Sequence, residues 1–135
     1  MADLLRGKTA VITGASRGIG AAVAHRFAAE GADIAITART INQHPTLAGS
    51  LNETAELCRK FGGQVLTIQA DLGDAKSRAS IIPAVHETFG SVDILINNAA
   101  AAIYKRLDSY QLKHRRLMTE INVQAPLDLI QQVLP

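Results

Sequence analysis

The chain's most chemically suggestive run is Thr13-Gly14-Ala15-Ser16-Arg17-Gly18-Ile19-Gly20, which sets three glycines between an apolar segment and a helical pattern. Each glycine has its own expected use. Gly14 permits a sharp exit from a strand, Gly18 lets backbone come close to a phosphate, and Gly20 lets the helix pack tightly against the sheet. The unpaired amides at the helix start, aided by the helix dipole, would then hold a pyrophosphate. A second chemical marker lies at the end of the next apolar run. A cofactor with a free ribose 2′-hydroxyl asks for an acid there, but this chain has Ala38 followed by Arg39. Asp33 sits at the opposite end of that run and cannot substitute. A cation in this place suits a 2′-phosphate, so the expected cofactor is NADP rather than NAD.

These residues need elements to position them. Ala10-Val11-Ile12-Thr13 reads as a buried parallel strand opening directly into glycine. A helix follows from about Gly18 to Glu30, with Ile19, Val23 and Phe27 four apart on one face and Gly31 as a C-terminal cap. Ile34-Ala35-Ile36 is the next strand core, and a loop runs from Arg39 to about Gly49. Ser50 to Phe61 reads as a helix ended by Gly62-Gly63, and Gln64 to Ala70 as a strand. Asp74 to Phe89 is helical, with Ala79, Ile82, Val85 and Phe89 on one stripe, and Pro83 implies a kink or two short pieces. Val92 to Ile96 is a further buried strand, and the chain is mostly helical from about Leu107. Strand and helix alternate four times, the pattern of a doubly wound α/β parallel sheet of Rossmann type. The whole chain, residues 1–135, is expected to form one such dinucleotide-binding domain.

Composition sets the outer limits. Apolar residues make up 47% of the chain and charged residues 19%, enough for a core and too few charges for disorder. A net charge of +2 argues against nucleic acid as a partner, and the run Lys113-His114-Arg115-Arg116 reads as a solvated helix face. The single cysteine, Cys58, excludes an internal disulfide and suits a reducing compartment. Met1 to Arg6 carries an acid and lacks the long apolar run of a signal peptide, and no stretch approaches a membrane span. Together these features predict a soluble, cytoplasmic protein. His25, His44, His86 and His114 show no metal-ligand spacing and read as surface or satisfied side chains.

The spacing TGxxxGxG, with three residues between the first two glycines, resembles the short-chain dehydrogenase/reductase family. Other segments agree in order along nearly the whole chain. Asp71-Leu72 follows the third strand, and Asn97-Asn98-Ala99-Ala100 follows the fourth, resembling NNAG with Ala100 in place of glycine. Asn122 lies in Ile121-Asn122-Val123-Gln124-Ala125-Pro126. Taken alone, Asp71 could cap a turn, Asn97 and Asn98 could bond their own backbone, and Asn122 could be an ordinary helix residue. The resemblance implies more specific roles. Gly14, Ser16, Arg17, Gly18, Ile19 and Gly20 would bind the phosphates, with Arg17 a second candidate for the 2′-phosphate. Arg39, Asp71, Leu72, Asn98, Ala99 and Ala100 would complete the cofactor site, and Asn122 would be the catalytic asparagine, holding a proton-relay water.

The resemblance also implies a serine and a Tyr-x-x-x-Lys pair beyond Asn122, and the sequence stops at Pro135. Tyr110-Gln111-Leu112-Lys113 has one residue too few between its ends and precedes Asn122, so it reads as a decoy. The chain is therefore expected to be the N-terminal portion of a longer enzyme, its fourth strand an open apolar edge. Three classes stay open. The parent would be an oxidoreductase acting on a carbonyl or alcohol, assembled as a homodimer or homotetramer. Otherwise the chain would be a non-catalytic NADP-binding module or a structural partner subunit. Finally, Pro126 cannot donate to the Asn122 carbonyl, so the helix should bend there, unless Pro126 falls in the first turn of a new helix.

Overall fold

A computed structural model describes residues 3–135; Met1 and Ala2, which open the N-terminal segment considered above, lie outside the described residues. The chain alternates β1 (Thr9–Thr13), α1 (Gly18–Ala29), β2 (Asp33–Ala38), α2 (Leu51–Arg59), β3 (Val65–Gln69), α3 (Ala75–Ala79), α4 (Ile81–Phe89) and β4 (Ile94–Ile96). A short 3-10 turn at Leu107–Ser109 leads to α5 (Leu112–Thr119), a π-helical segment (Glu120–Gln124) and α6 (Ala125–Val133). The four strands are all parallel and run in the order β3-β2-β1-β4. The fold is thus a doubly wound parallel sheet, with β4 at one edge.

The two faces of the sheet bury different side chains, as strand alternation requires. Ala10, Ile12, Ile34 and Ile36 face α1 and α2, where Ala24, Ala28, Leu51, Ala55 and Cys58 complete one core. Val11, Ala35 and Ile68 face the other way, onto Ile81, Ile82 and Val85 of α4 and Ala125 and Leu129 of α6.

The helix faces differ from the expected stripes in two places. On α1 the buried positions are Gly20, Ala24, Ala28 and Ala29, while Ile19 is 76% exposed and Val23 and Phe27 are only half-buried. Small residues make the innermost contact with the strands, while Val23 and Phe27 pack against the margin of that core. The Asp74–Phe89 helix is two pieces, broken at Ser80. Pro83 explains the break, because it offers no amide to the carbonyl of residue 79 and its ring crowds that carbonyl. Ala79 is exposed, and Ile81 takes its expected place in the core. β4 is also shorter than expected. Asp93 stays outside it, accepting from the Thr9 amide through its side chain (2.8 Å) and donating its own amide to the Thr9 carbonyl (2.9 Å).

Candidate cofactor site

Parallel strands bring all their C-terminal ends to one edge of the sheet. Thr13 pairs with Thr37, Ala38 with Gln69, and Ile12 with Ile96. Gly14, Arg39, Asp71 and Asn97 therefore stand on a common rim. From β1 the chain moves to β2 and β3 on one side, and β4 lies on the other, so this rim includes the point where strand order reverses. Crevices of this kind are where open α/β sheets take ligands.

The glycine turn is built as its residue types require. Gly14 (φ +67°) and Gly18 (φ +58°) are both left-handed, a conformation that costs any side-chain-bearing residue. A Cβ on Gly18 would meet nothing within 4 Å, so that glycine serves backbone conformation and open approach, not packing. A Cβ on Gly20 would sit 2.5 Å from the Asn98 Nδ2 and closer still to the Gly14 carbonyl. Gly20 thus packs against the turn and Asn98, where helix–sheet contact was expected. No side chain caps α1, whereas Ser50 caps α2 and Asp74 caps α3. The first amides of α1 therefore stand at the rim without a side-chain acceptor among the described residues, as also at α4 and α5.

Thr13 and Asn98 lock this turn to the end of β4. The Asn98 Nδ2 donates to the carbonyls of Thr13 (3.0 Å) and Gly14 (3.1 Å). The amides of Asn98 and Ala99 both donate to the Thr13 hydroxyl at 3.1 Å. Ala99 lies against Gly14, and Ala100 beside it is exposed. The Asn98 amide nitrogen therefore shapes the rim from beneath. The Thr13 hydroxyl gave no sequence signal, since threonine in a strand is ordinary.

The two arginines assigned to the 2′-phosphate are differently placed. Arg39 is exposed, and its guanidinium forms no ion pair among the described residues; only its carbonyl is used, accepting from the Gln69 Nε2 at 3.0 Å. Arg17 occupies the N-cap position, and its guanidinium donates to the carbonyls of Ala48 (3.2 Å) and Gly49 (3.3 Å). It thereby holds the loop after β2 against the turn. Gly49 (φ +87°) fits there because a Cβ would lie 2.9 Å from the Ser16 carbonyl. Ser16 itself is half-buried.

At the end of β3, Asp71 is exposed and its Oδ1 accepts from the Gly73 amide (2.9 Å), so it does brace a turn while the helix cap is Asp74. Leu72 is buried, which leaves only its backbone to the rim. Asn122 lies in the π segment and grips the loop after β4 twice. Its Oδ1 accepts from the Ala101 amide (2.9 Å) and its Nδ2 donates to the Ala101 carbonyl (2.7 Å). The Tyr110 hydroxyl donates to the Ile103 carbonyl (2.6 Å) and contacts the Met118 sulfur (3.2 Å), a structural commitment. The His114 Nδ1, next to that ring, is buried without a hydrogen-bond partner among the described residues, an exception to the expectation that the histidines are surface or satisfied.

Sequence reasoning missed Arg78. Its side chain is 5% exposed and ion-pairs with Glu120 (2.6 Å) and Asp128 (2.7 Å). Burial by itself would lower its pKa, but the hydrogen bonds and charges of Asp128 and Glu120 outweigh this and raise it. The signal was available, since positions 78, 82 and 85 share one helical face and only the first is charged. Among the described residues, no group of three or more His, Cys, Asp or Glu is placed to hold a metal, and no helix is long and apolar enough to cross a membrane.

A parallel doubly wound sheet with an uncapped, glycine-opened helix at its switch point defines a dinucleotide-binding class of protein. Residues 8–135 match the short chain dehydrogenase family, and the chain belongs to that family. It is 40% identical over 118 residues to hydroxysteroid dehydrogenase-like protein 2 of Bos taurus, covering 87% of this chain and 28% of that protein. A short chain dehydrogenase from Mycobacterium thermoresistibile superposes with a TM-score of 0.88 at 39% identity, over 96% of this chain and 46% of the other. L-sorbose reductase from Gluconobacter frateurii, solved with NADPH and L-sorbose, gives 0.88 at 33% identity, over 98% and 48%. The chain thus spans about half the length of these solved relatives and less of the bovine one.

Proposed function

We propose that this chain is the cofactor-binding portion of an NADP(H)-dependent oxidoreductase that moves a hydride between a nicotinamide and a carbonyl or alcohol. The observation that carries this reading is the convergence, on one rim, of an uncapped helix start, two left-handed glycines and the guanidinium of Arg39, unpaired among the described residues. The residues fit such a cofactor, because Gly18 presents backbone with nothing in front of its Cβ direction. The amides at Gly18, Ile19 and Gly20 hold the pyrophosphate, with Gly14 and Ser16 shaping the turn. Exposed Ile19 packs against the ligand instead of the core. Asp71 and the Leu72 backbone receive the adenine, and Ala99 and Ala100 line the rim above Asn98. When bound, the nicotinamide supplies or accepts the hydride.

Arg39 is the principal 2′-phosphate ligand, and Arg17, already engaged by the loop, is the secondary one. The NADPH bound by L-sorbose reductase supports the choice of cofactor. Asn122 is the family's catalytic asparagine, and Pro126 withholds the amide that an α register would direct at its carbonyl. The Tyr-x-x-x-Lys pair implied by the resemblance is not among these residues and Tyr110 is committed elsewhere, so the 135-residue chain does not turn over substrate alone. The parent is cytoplasmic and forms a homodimer or homotetramer, for which the exposed Leu127 and Ile130 on α6 offer apolar surface.

Titration of NADPH and NADH against wild type and Arg39→Ala tests the reading. A charge-assisted contact contributes about 1.5–3 kcal/mol, so the variant should bind NADPH roughly ten- to hundredfold more weakly and NADH unchanged. Equal affinity for both cofactors in the wild type would overturn it.

A further inference from the structure

We propose that Arg78 is a positioning residue that fixes the wide π turn and so sets where Asn122 stands. The inference rests on the functional reading of Asn122 given above, but its geometry is separate from cofactor binding. Arg78 reaches three groups from its buried place on α3. Its Nη1 donates to the Leu72 carbonyl (3.1 Å) and pairs with Glu120 Oε1 (2.6 Å), and its Nε donates to Asp128 Oδ2 (2.7 Å). Glu120 opens the π segment and Asp128 lies in the first turn of α6, so the two carboxylates bracket Asn122.

Helix geometry makes this bracket selective. In an unbroken α-helix, residues eight apart are turned about 80° from each other around the axis. A π turn absorbs one extra residue, which brings such a pair to within about 20° of one face. The amide of Ala125 does bond the Glu120 carbonyl five residues back. The π register therefore brings both carboxylates to the one face that this guanidinium reaches. That register also holds Asn122 where its side chain meets both backbone groups of Ala101. The Leu72 carbonyl ties the same guanidinium to the end of β3, so the wide turn is fixed relative to the rim.

The probe is hydrogen exchange of the Ala101 amide, which the Asn122 side chain protects, measured by NMR on the full 135-residue chain without cofactor. Arg78→Met is compared with Ile81→Val, a buried α4 substitution outside the ion-pair cluster, each normalised to its own unfolding midpoint. The expected result is at least fivefold faster Ala101 exchange in Arg78→Met than in the control, and partial restoration in Arg78→Lys, which can engage one carboxylate at a time. Should Arg78→Met not fold, Glu120→Gln and Asp128→Asn keep the side-chain shapes and should each speed Ala101 exchange about twofold or more beyond the control. Exchange that simply follows global stability in every variant would overturn the inference. A wild type that binds no nicotinamide cofactor would overturn the proposed function and leave this exchange result to be judged on its own.

Discussion

Alanine at Gly20 sets helix propensity against the packing of the glycine turn. In an exposed helix interior the change would stabilise the chain by about 1 kcal/mol. Here the new methyl would lie 2.5 Å from the Asn98 Nδ2 and closer to the Gly14 carbonyl. The Asn98 amide cannot step aside freely, because it holds both the Thr13 and Gly14 carbonyls. Losing two such bonds costs about 1–3 kcal/mol, and overpacking a tight contact costs about as much again. The net expectation, after the propensity gain, is a destabilisation of about 1–5 kcal/mol. For a chain of this size that lowers the melting temperature by at least about 3 °C. Thermal and urea unfolding followed by circular dichroism measure it. Gly18→Ala is the comparison, since it meets nothing within 4 Å and pays only for its left-handed backbone, about 1–2 kcal/mol. A Gly20→Ala chain as stable as the wild type would refute the idea that this glycine is demanded by Asn98 and the turn.

Burial pushes the Cys58 thiol up to about 11 from an ordinary 9.0, against a small downward pull from Arg59. Its contribution is therefore fully present below about pH 9 and lost as pH rises through 11, a change of roughly 2–3 kcal/mol. Urea unfolding of wild type and Cys58→Ala between pH 8 and 11 should show the two converging; a constant difference would contradict it. Asn122→Ala removes both bonds to Ala101 and should lower stability by about 1–2 kcal/mol in the same unfolding assay. Asn122→Asp should not rescue it, because a second carboxylate oxygen would face the Ala101 carbonyl.

What the sequence made legible follows from how local each constraint is. Gly14 announced a sharp exit from the strand and Gly18 an open backbone because only glycine adopts such conformations cheaply, and both have left-handed backbones. Pro83 announced a broken helix because it removes one specific amide, and the break lies three residues before it. Arg39 could be placed on the rim from strand direction alone. The uses of Gly20, Arg17 and Asn98 were not legible, because each depends on a neighbour far along the chain. Gly20 meets Asn98, Arg17 meets Ala48 and Gly49, and the Asn98 side chain turns back to Thr13. Arg78 was overlooked for a related reason. A charge on an apolar stripe declares itself only when its two carboxylates, 42 and 50 residues later, are seen beside it.

Around Pro126 the structure places a π segment that runs into α6, an arrangement that neither of the two alternatives described alone. Pro126 does stand at the start of α6, where a missing amide costs least, yet α6 continues from the π segment without interruption. Proline and the ion-pair cluster then act on the same turn from opposite directions. Pro126 withholds the amide that an α register would direct at the Asn122 carbonyl, and Arg78 holds two carboxylates that the π register brings to one face. The arginine fixes the turn without the proline, whereas the proline only raises the cost of leaving it once the arginine is gone. Pro126→Ala alone should therefore change Ala101 exchange by less than about twofold and stability by less than about 1 kcal/mol. Combined with Arg78→Met, it should release the extra residue, and Cα chemical shifts over residues 120–126 should move to ordinary α-helical values. The double variant should speed Ala101 exchange by more than the product of the two single effects, as expected for residues acting on one shared element. Strictly multiplicative effects would mean that the proline and the arginine do not act on the same turn, and that the π segment is held by something else.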